Sequence, residues 1–160
     1  MAPAHANIGL FRNLSYSGQF EVKGNAYLAI YGWTTSPLVE YYIIETYGNH
    51  KPCSDADPKD SPRQLGNVTS DGGTYEIWTK MRRNKPSISG TATFAQYWSV
   101  RTSNRVGGYV NTGEHFKQWE ANGLKMGRHN YMIVATEGQD STGSSSITVG
   151  TPPKDAAPAQ

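Results

Sequence analysis

Short runs of β-branched and aromatic residues recur along this chain, each closed off by Gly, Asn, Asp, Ser or Pro. The runs fall at 25–33, 38–46, 73–82, 91–101, 105–110, 130–137 and 144–149. Such runs pack well on a pleated surface, and the residues between them favour turns. Helices long enough to cross between parallel strands are missing from the spacing. The pattern therefore predicts an all-β fold, an antiparallel sandwich or jelly roll. One stretch differs. In TGEHFKQWEANG (112–123), Thr112 can cap a helix, Phe116 and Trp119 lie three apart on one face, and Gly123 ends the run. It predicts a single short helix.

At 160 residues the chain suits one domain with a sizeable core. The segment 49–63, with three prolines and three aspartates, reads as a loop, and 150–160 as a disordered Pro/Ala-rich tail. A formal charge of +2 and basic runs no longer than Arg82-Arg83 give no footprint for nucleic acid. No apolar run approaches the ~18 residues of a membrane span, and no signal peptide is legible in residues 1–12. The lone Cys53 excludes an internal disulfide and reads as an incidental, exposed or half-buried thiol. Four histidines without ligand spacing imply neither metal nor cofactor.

Alternation then sorts side chains into faces. Glu40 falls with Leu38, Tyr42 and Ile44, and Glu137 with Tyr131, Ile133 and Ala135. Asn25, Tyr27 and Tyr31 share a face, as do Phe94, Gln96 and Trp98. A core face would exclude Glu, Gln and Asn, whereas a plain solvent face would not carry so many of the ten tyrosines. A hollow that stacks and hydrogen-bonds sugars accounts for the mixture, and paired carboxylates are the usual means of cleaving a glycosidic bond. Glu45 faces away from Glu40, and with Asp71, Glu76, Glu114 and Glu120 it reads as a surface or loop group.

Six stretches carry a specific resemblance. They are GNAYLAIYGWT (24–34), PLVEYYIIETYG (37–48), VTSDGGTYEIWTKMRRNKPSISG (68–90), TFAQYWSVR (93–101), HFKQWEANGLKMGRHNYMIVATEG (115–138) and TGSSSITV (142–149). In this order and spacing the chain resembles the family 11 glycoside hydrolases, the β-jelly-roll endo-1,4-β-xylanases, across 13–149. The resemblance implies a retaining xylanase with Glu40 as nucleophile and Glu137 as acid/base. It also implies substrate contacts from Asn25, Tyr31, Tyr42, Arg82, Gln96, Trp98 and Tyr131, with Trp33 near the cleft. Pro86 would sit in the tip of a hairpin, the thumb, that closes over the polymer. Xylan is then the partner, and the protein would be an extracellular monomer.

Two departures from the family pattern stand out. The family's earlier N-terminal strands have no counterpart in residues 1–24, so the jelly roll reads as N-terminally incomplete. Gln139 stands where the family usually places a tyrosine. A non-catalytic, xylan-binding remnant is accordingly the alternative expectation.

Overall fold

The computed structural model describes residues 13–54 and 56–150. The expected N-terminal segment 1–12 and the end of the tail, 151–160, lie outside the described residues. Among the described residues seven strands form one connected sheet: β1 (Asn13–Thr35), β2 (Val39–Tyr47), β3 (Arg63–Ser70), β4 (Gly73–Ser87), β5 (Gly90–Arg101), β6 (Gly108–Asn111) and β7 (Arg128–Gly150), with one α-helix, α1 (Thr112–Ala121), and a short 3-10 turn at Pro58–Asp60. The strand order is β3-β4-β5-β2-β1-β6, and β7 runs along β1. All pairs are antiparallel except β2 with β5, which lie parallel because the β2–β3 connection returns the chain so that β3 runs in the same direction as β2.

β1 and β7 make the sandwich by bending. Leu14 and Tyr16 from the first half of β1 share one buried cluster with Leu28 and Ile30 from its second half. Met132, Val134 and Ile147 from both halves of β7 pack on the same cluster. The bend falls where the β1–β7 register slips, between Gly24 and Asn25. Gly24 has φ +103°, a backbone state that L side chains rarely adopt, and a Cβ there would strike the Asp140 carbonyl. This corrects the expectation of two strands at 130–137 and 144–149. The turn-forming residues between them shape a bulge and bend within one strand, with Asp140 at φ +52°, rather than ending it.

Three other expectations change. Residues 63–70 form β3, paired to β4 through a two-residue turn at Asp71-Gly72 (φ +57° and +72°), the pairing that suits a hairpin's twist. The strand expected at 105–110 starts only at Gly108, because Arg105 is drawn inward to a buried carboxylate. The helix forms as expected, but its cap is Asn111, whose side chain accepts from the Glu114 N–H. Phe116 and Trp119 are buried in the main core cluster, ring to ring with Tyr41.

The opposite face of β2, β5 and β1 carries a second cluster: Ala29, Tyr42, Ile44, Cys53, Trp98 and Val100, flanked by Tyr27, Tyr31 and Trp78. Cys53 is 7% exposed and belongs to this cluster, which corrects its reading as an exposed or half-buried thiol. Burial pushes the thiol up to about 12, so it packs as a small hydrophobe rather than reacting as a thiolate.

Candidate active site

On that second face the central strands bring the two glutamates into one aromatic cluster. Across the β1–β2 ladder Tyr31 pairs with Tyr42, so both rings rise from the same rung, their centroids 4.8 Å apart. Each phenol takes a different carboxylate. Tyr31 Oη donates to Glu40 Oε2 at 2.6 Å, and Tyr42 Oη donates to Glu137 at 3.2 Å to Oε1 and 3.4 Å to Oε2. Gln96, opposite Glu40 on β5, donates from Nε2 to the other oxygen, Glu40 Oε1. Trp33 Nε1 donates to Tyr31 Oη at 2.7 Å, fixing the direction in which that phenol offers its proton. Glu40 is thus held from the two strands that flank its own.

Packing keeps these donors in place. Tyr42 lies flat on Trp98, with centroids 4.1 Å apart and planes 6° from parallel. Trp98 is 4% exposed and so forms the floor under Tyr42 rather than an open stacking surface. Tyr131 is 39% exposed and leans toward Tyr31 at 6.2 Å, which leaves its ring available at the surface. Asn25 and Tyr27 line a cavity of about 200 Å³ with Glu137, Gly138 and Gln139. Arg82 is half-buried on β4 opposite Phe94, and it makes no hydrogen bond or ion pair among the described residues. Pro86 stands exposed opposite Thr91, at the end of the β4–β5 hairpin, whose tip is closed by Ser87 Oγ donating to the Gly90 carbonyl at 2.6 Å. Two buried atoms of the site, Gln96 Oε1 and Trp98 Nε1, have no partner among the described residues.

The electrostatics separate the glutamates. Partial desolvation raises the Glu137 pKa above the usual carboxylate value, although the residue is exposed at the surface. The Tyr42 hydrogen bond partly opposes this, and the negative charge of Glu40 adds to it. Tyr31 and Tyr42 are pushed well above the ordinary phenol value, Tyr31 by burial and then by its bond to Glu40, Tyr42 by burial and then by the charges of both glutamates. Both therefore remain protonated donors.

The family model for glycosyl hydrolases family 11 matches residues 6–148. The chain belongs to family 11. Its sequence is 56% identical over 141 residues to an ethylene-inducing xylanase of Penicillium digitatum, covering 88% of this chain and 62% of that protein. It is 52% identical over 143 residues to endo-1,4-beta-xylanase 11A of Botryotinia fuckeliana, covering 89% and 60% respectively. A solved endo-1,4-beta-xylanase from Trichoderma reesei superposes with a TM-score of 0.80 at 45% identity, over 87% of this chain and 74% of that one. The chain thus spans about three fifths of the length of these two sequence relatives.

A second polar cluster of this family 11 chain corrects the reading of Glu45 as a surface or loop group and encloses Asp71, which sits in the β3–β4 turn as a loop group but is buried. Glu45 is fully buried on the core side of β2. Its Oε1 accepts from Tyr16 Oη at 3.0 Å and Arg105 Nε at 2.8 Å, and its Oε2 accepts from Tyr75 Oη. Asp71 is 1% exposed and accepts from the Asn111 N–H at 2.8 Å. The signal was present in the alternation: Glu45 shares parity with Tyr41 and Ile43, the core residues of β2.

Proposed function

We propose that this chain is an endo-1,4-β-xylanase that cleaves internal xylosidic bonds with retention of anomeric configuration. Glu40 attacks the anomeric carbon of the sugar while Glu137 gives its proton to the departing glycosidic oxygen. The C–O bond breaks as the ester bond to Glu40 forms. Water then enters on the side the leaving sugar vacated. Glu137 takes its proton, the oxygen bonds to the anomeric carbon, and Glu40 leaves as a carboxylate. Retention by this route needs the two carboxyls about 5–5.5 Å apart.

The observation that carries the reading is the crossed pair Tyr31–Glu40 and Tyr42–Glu137 on adjacent rings. It gives the two acids unlike surroundings on one face, as an acid/nucleophile division requires. The raised pKa of Glu137 suits a general acid. Forming the ester removes the charge of Glu40, one of the causes of that rise, so Glu137 becomes more acidic when it must act as base. Asn25, Tyr131, Arg82 and the hairpin tip at Pro86 would line the polymer's path, and the enzyme would act outside the cell as a monomer. Reducing-sugar release from xylan tests the reading. Glu40→Gln should lower turnover by roughly 10⁴-fold or more, as loss of a nucleophile does, with the circular-dichroism spectrum unchanged. Turnover within tenfold of the parent would refute the assignment.

One observation favours a second reading, a xylan-binding module without catalysis. Among the described residues β7, which carries Glu137, pairs with β1 alone, so no second strand among them braces the acid. Binding to xylan without any sugar release, equal in parent and Glu40→Gln, would establish that alternative.

A further inference from the structure

The chemistry of β4 where it borders the cleft extends the xylanase reading, on which the following inference rests. Alternation places Glu76, Trp78, Lys80 and Arg82 on one face of β4. The register pairs Lys80 with Gln96 and Arg82 with Phe94. Gln96 is the residue that donates to Glu40, so this is the face of the glutamates. A simple alternation would then send Lys85 to the opposite side. A bulge prevents it. The register jumps from Arg82–Phe94 to Lys85–Ala92, leaving Arg83 and Asn84 together against Thr93, with Asn84 at φ +52°. Opposed residues share a face, and so do Ala92 and Phe94 two apart, so Lys85 joins Lys80 and Arg82. The extra residue makes a row of three cations where an unbulged strand would have two.

The row lacks countercharge of its own. Glu76, the only acid in β4, is bound to Lys51 at 2.5 Å. Arg82 and Lys85 have no hydrogen bond or ion pair among the described residues. Lys80 lies over the Trp98 ring, 5.2 Å from its centroid. The uncharged backbone of a xylose polymer has no group that needs such a row. A carboxylate side group on that polymer does, and a guanidinium flanked by two ammonium groups suits it in charge and donors. We propose that Lys80, Arg82 and Lys85 form a carboxylate-reading wall, selecting xylan that bears uronic acid branches over unsubstituted xylan.

Affinity electrophoresis of the Glu40→Gln chain, which leaves the polymer intact, measures this directly. Gels would contain either unsubstituted xylan or xylan carrying glucuronic acid. The acidic polymer should retain the chain more strongly at low salt, and the preference should shrink at about 1 M salt, where screening acts within about 3 Å. Lys85→Gln should reduce the ratio of the two affinities by about two- to five-fold, the range of an exposed ion pair, and Lys85→Glu should reduce it further. A ratio unmoved by Lys85→Glu overturns the inference while leaving the xylanase reading intact. Failure of both polymers to retain the chain overturns both.

Discussion

Tyr31 and Glu40 lie nine residues apart in the chain and one hydrogen bond apart in space, because the β1–β2 turn folds their strands together. Tyr42 does for Glu137 what Tyr31 does for Glu40, but across 95 residues of sequence. Its bond lowers the Glu137 pKa against the larger raising effect of partial desolvation, so Tyr42→Phe should let that pKa rise further. An acid catalyst works while protonated, and activity falls as pH climbs through its pKa. The alkaline limb of the pH–rate profile should therefore move to higher pH in Tyr42→Phe, with the acidic limb unmoved. A shift to lower pH would contradict the assigned role. Stability has a matching sign. A carboxyl with a raised folded pKa favours the fold when protonated, and that contribution is lost as pH rises through the folded value. Glu137→Gln should accordingly raise Tm at neutral pH.

Among the elements, β2 carries opposite polar chemistry on its two faces: Glu40 and Tyr42 toward the cleft, Glu45 into the core. The buried Glu45 is tolerable only because Tyr16 from β1, Tyr75 from β4 and Arg105 from the β5–β6 connection all donate to it. Arg105 also donates to the Asp71 and Tyr109 carbonyls, at 3.1 and 2.7 Å, tying the β3–β4 turn to β6. Arg105→Met leaves the buried charge without its cation and should cost about 3–5 kcal/mol in urea unfolding. The pairing of Glu40 with Tyr31 and Gln96 does not involve this cluster, so turnover measured well below the melting point should persist. Loss of turnover with stability preserved would show that the cluster reaches the site. Alternation made both faces of β2 legible in the sequence, since it set Glu40 against Glu45. It did not show that Glu45 was enclosed, because its three donors arrive from distant segments. β3 escaped notice because its hairpin signal, Asp71-Gly72, follows a stretch with few apolar residues. β7 read as two strands because local turn residues cannot distinguish a bend within a strand from its end.

Over the whole molecule, the side chains that hold the two layers together include groups that acid would charge. His115 is fully buried against Tyr75 and Trp119, with both ring nitrogens unpartnered among the described residues. Burial, with Arg101 and Arg105 nearby, lowers its pKa to about 3. A histidine lowered in this way binds its proton more readily when unfolded. It therefore removes stability progressively as pH falls from about 6.5 toward 3, by on the order of a few kcal/mol. His115→Phe should flatten Tm against pH across that window, while an unchanged slope would place acid sensitivity elsewhere. Family, sandwich and helix were all readable from ordered motifs and alternation. The parallel β2–β5 pair was not, because it depends on the β2–β3 connection returning the chain, a path that local patterns do not specify.

The division of labour between the two glutamates admits one direct test. Incubating the chain with a 2-fluoro xylobioside bearing a good leaving group slows release of the ester far more than its formation. Mass spectrometry of the digested protein should then find one added 2-fluoroxylobiosyl unit, on the peptide that contains Glu40. An adduct on Glu137, or an unmodified chain that nevertheless hydrolyses xylan, would contradict the account.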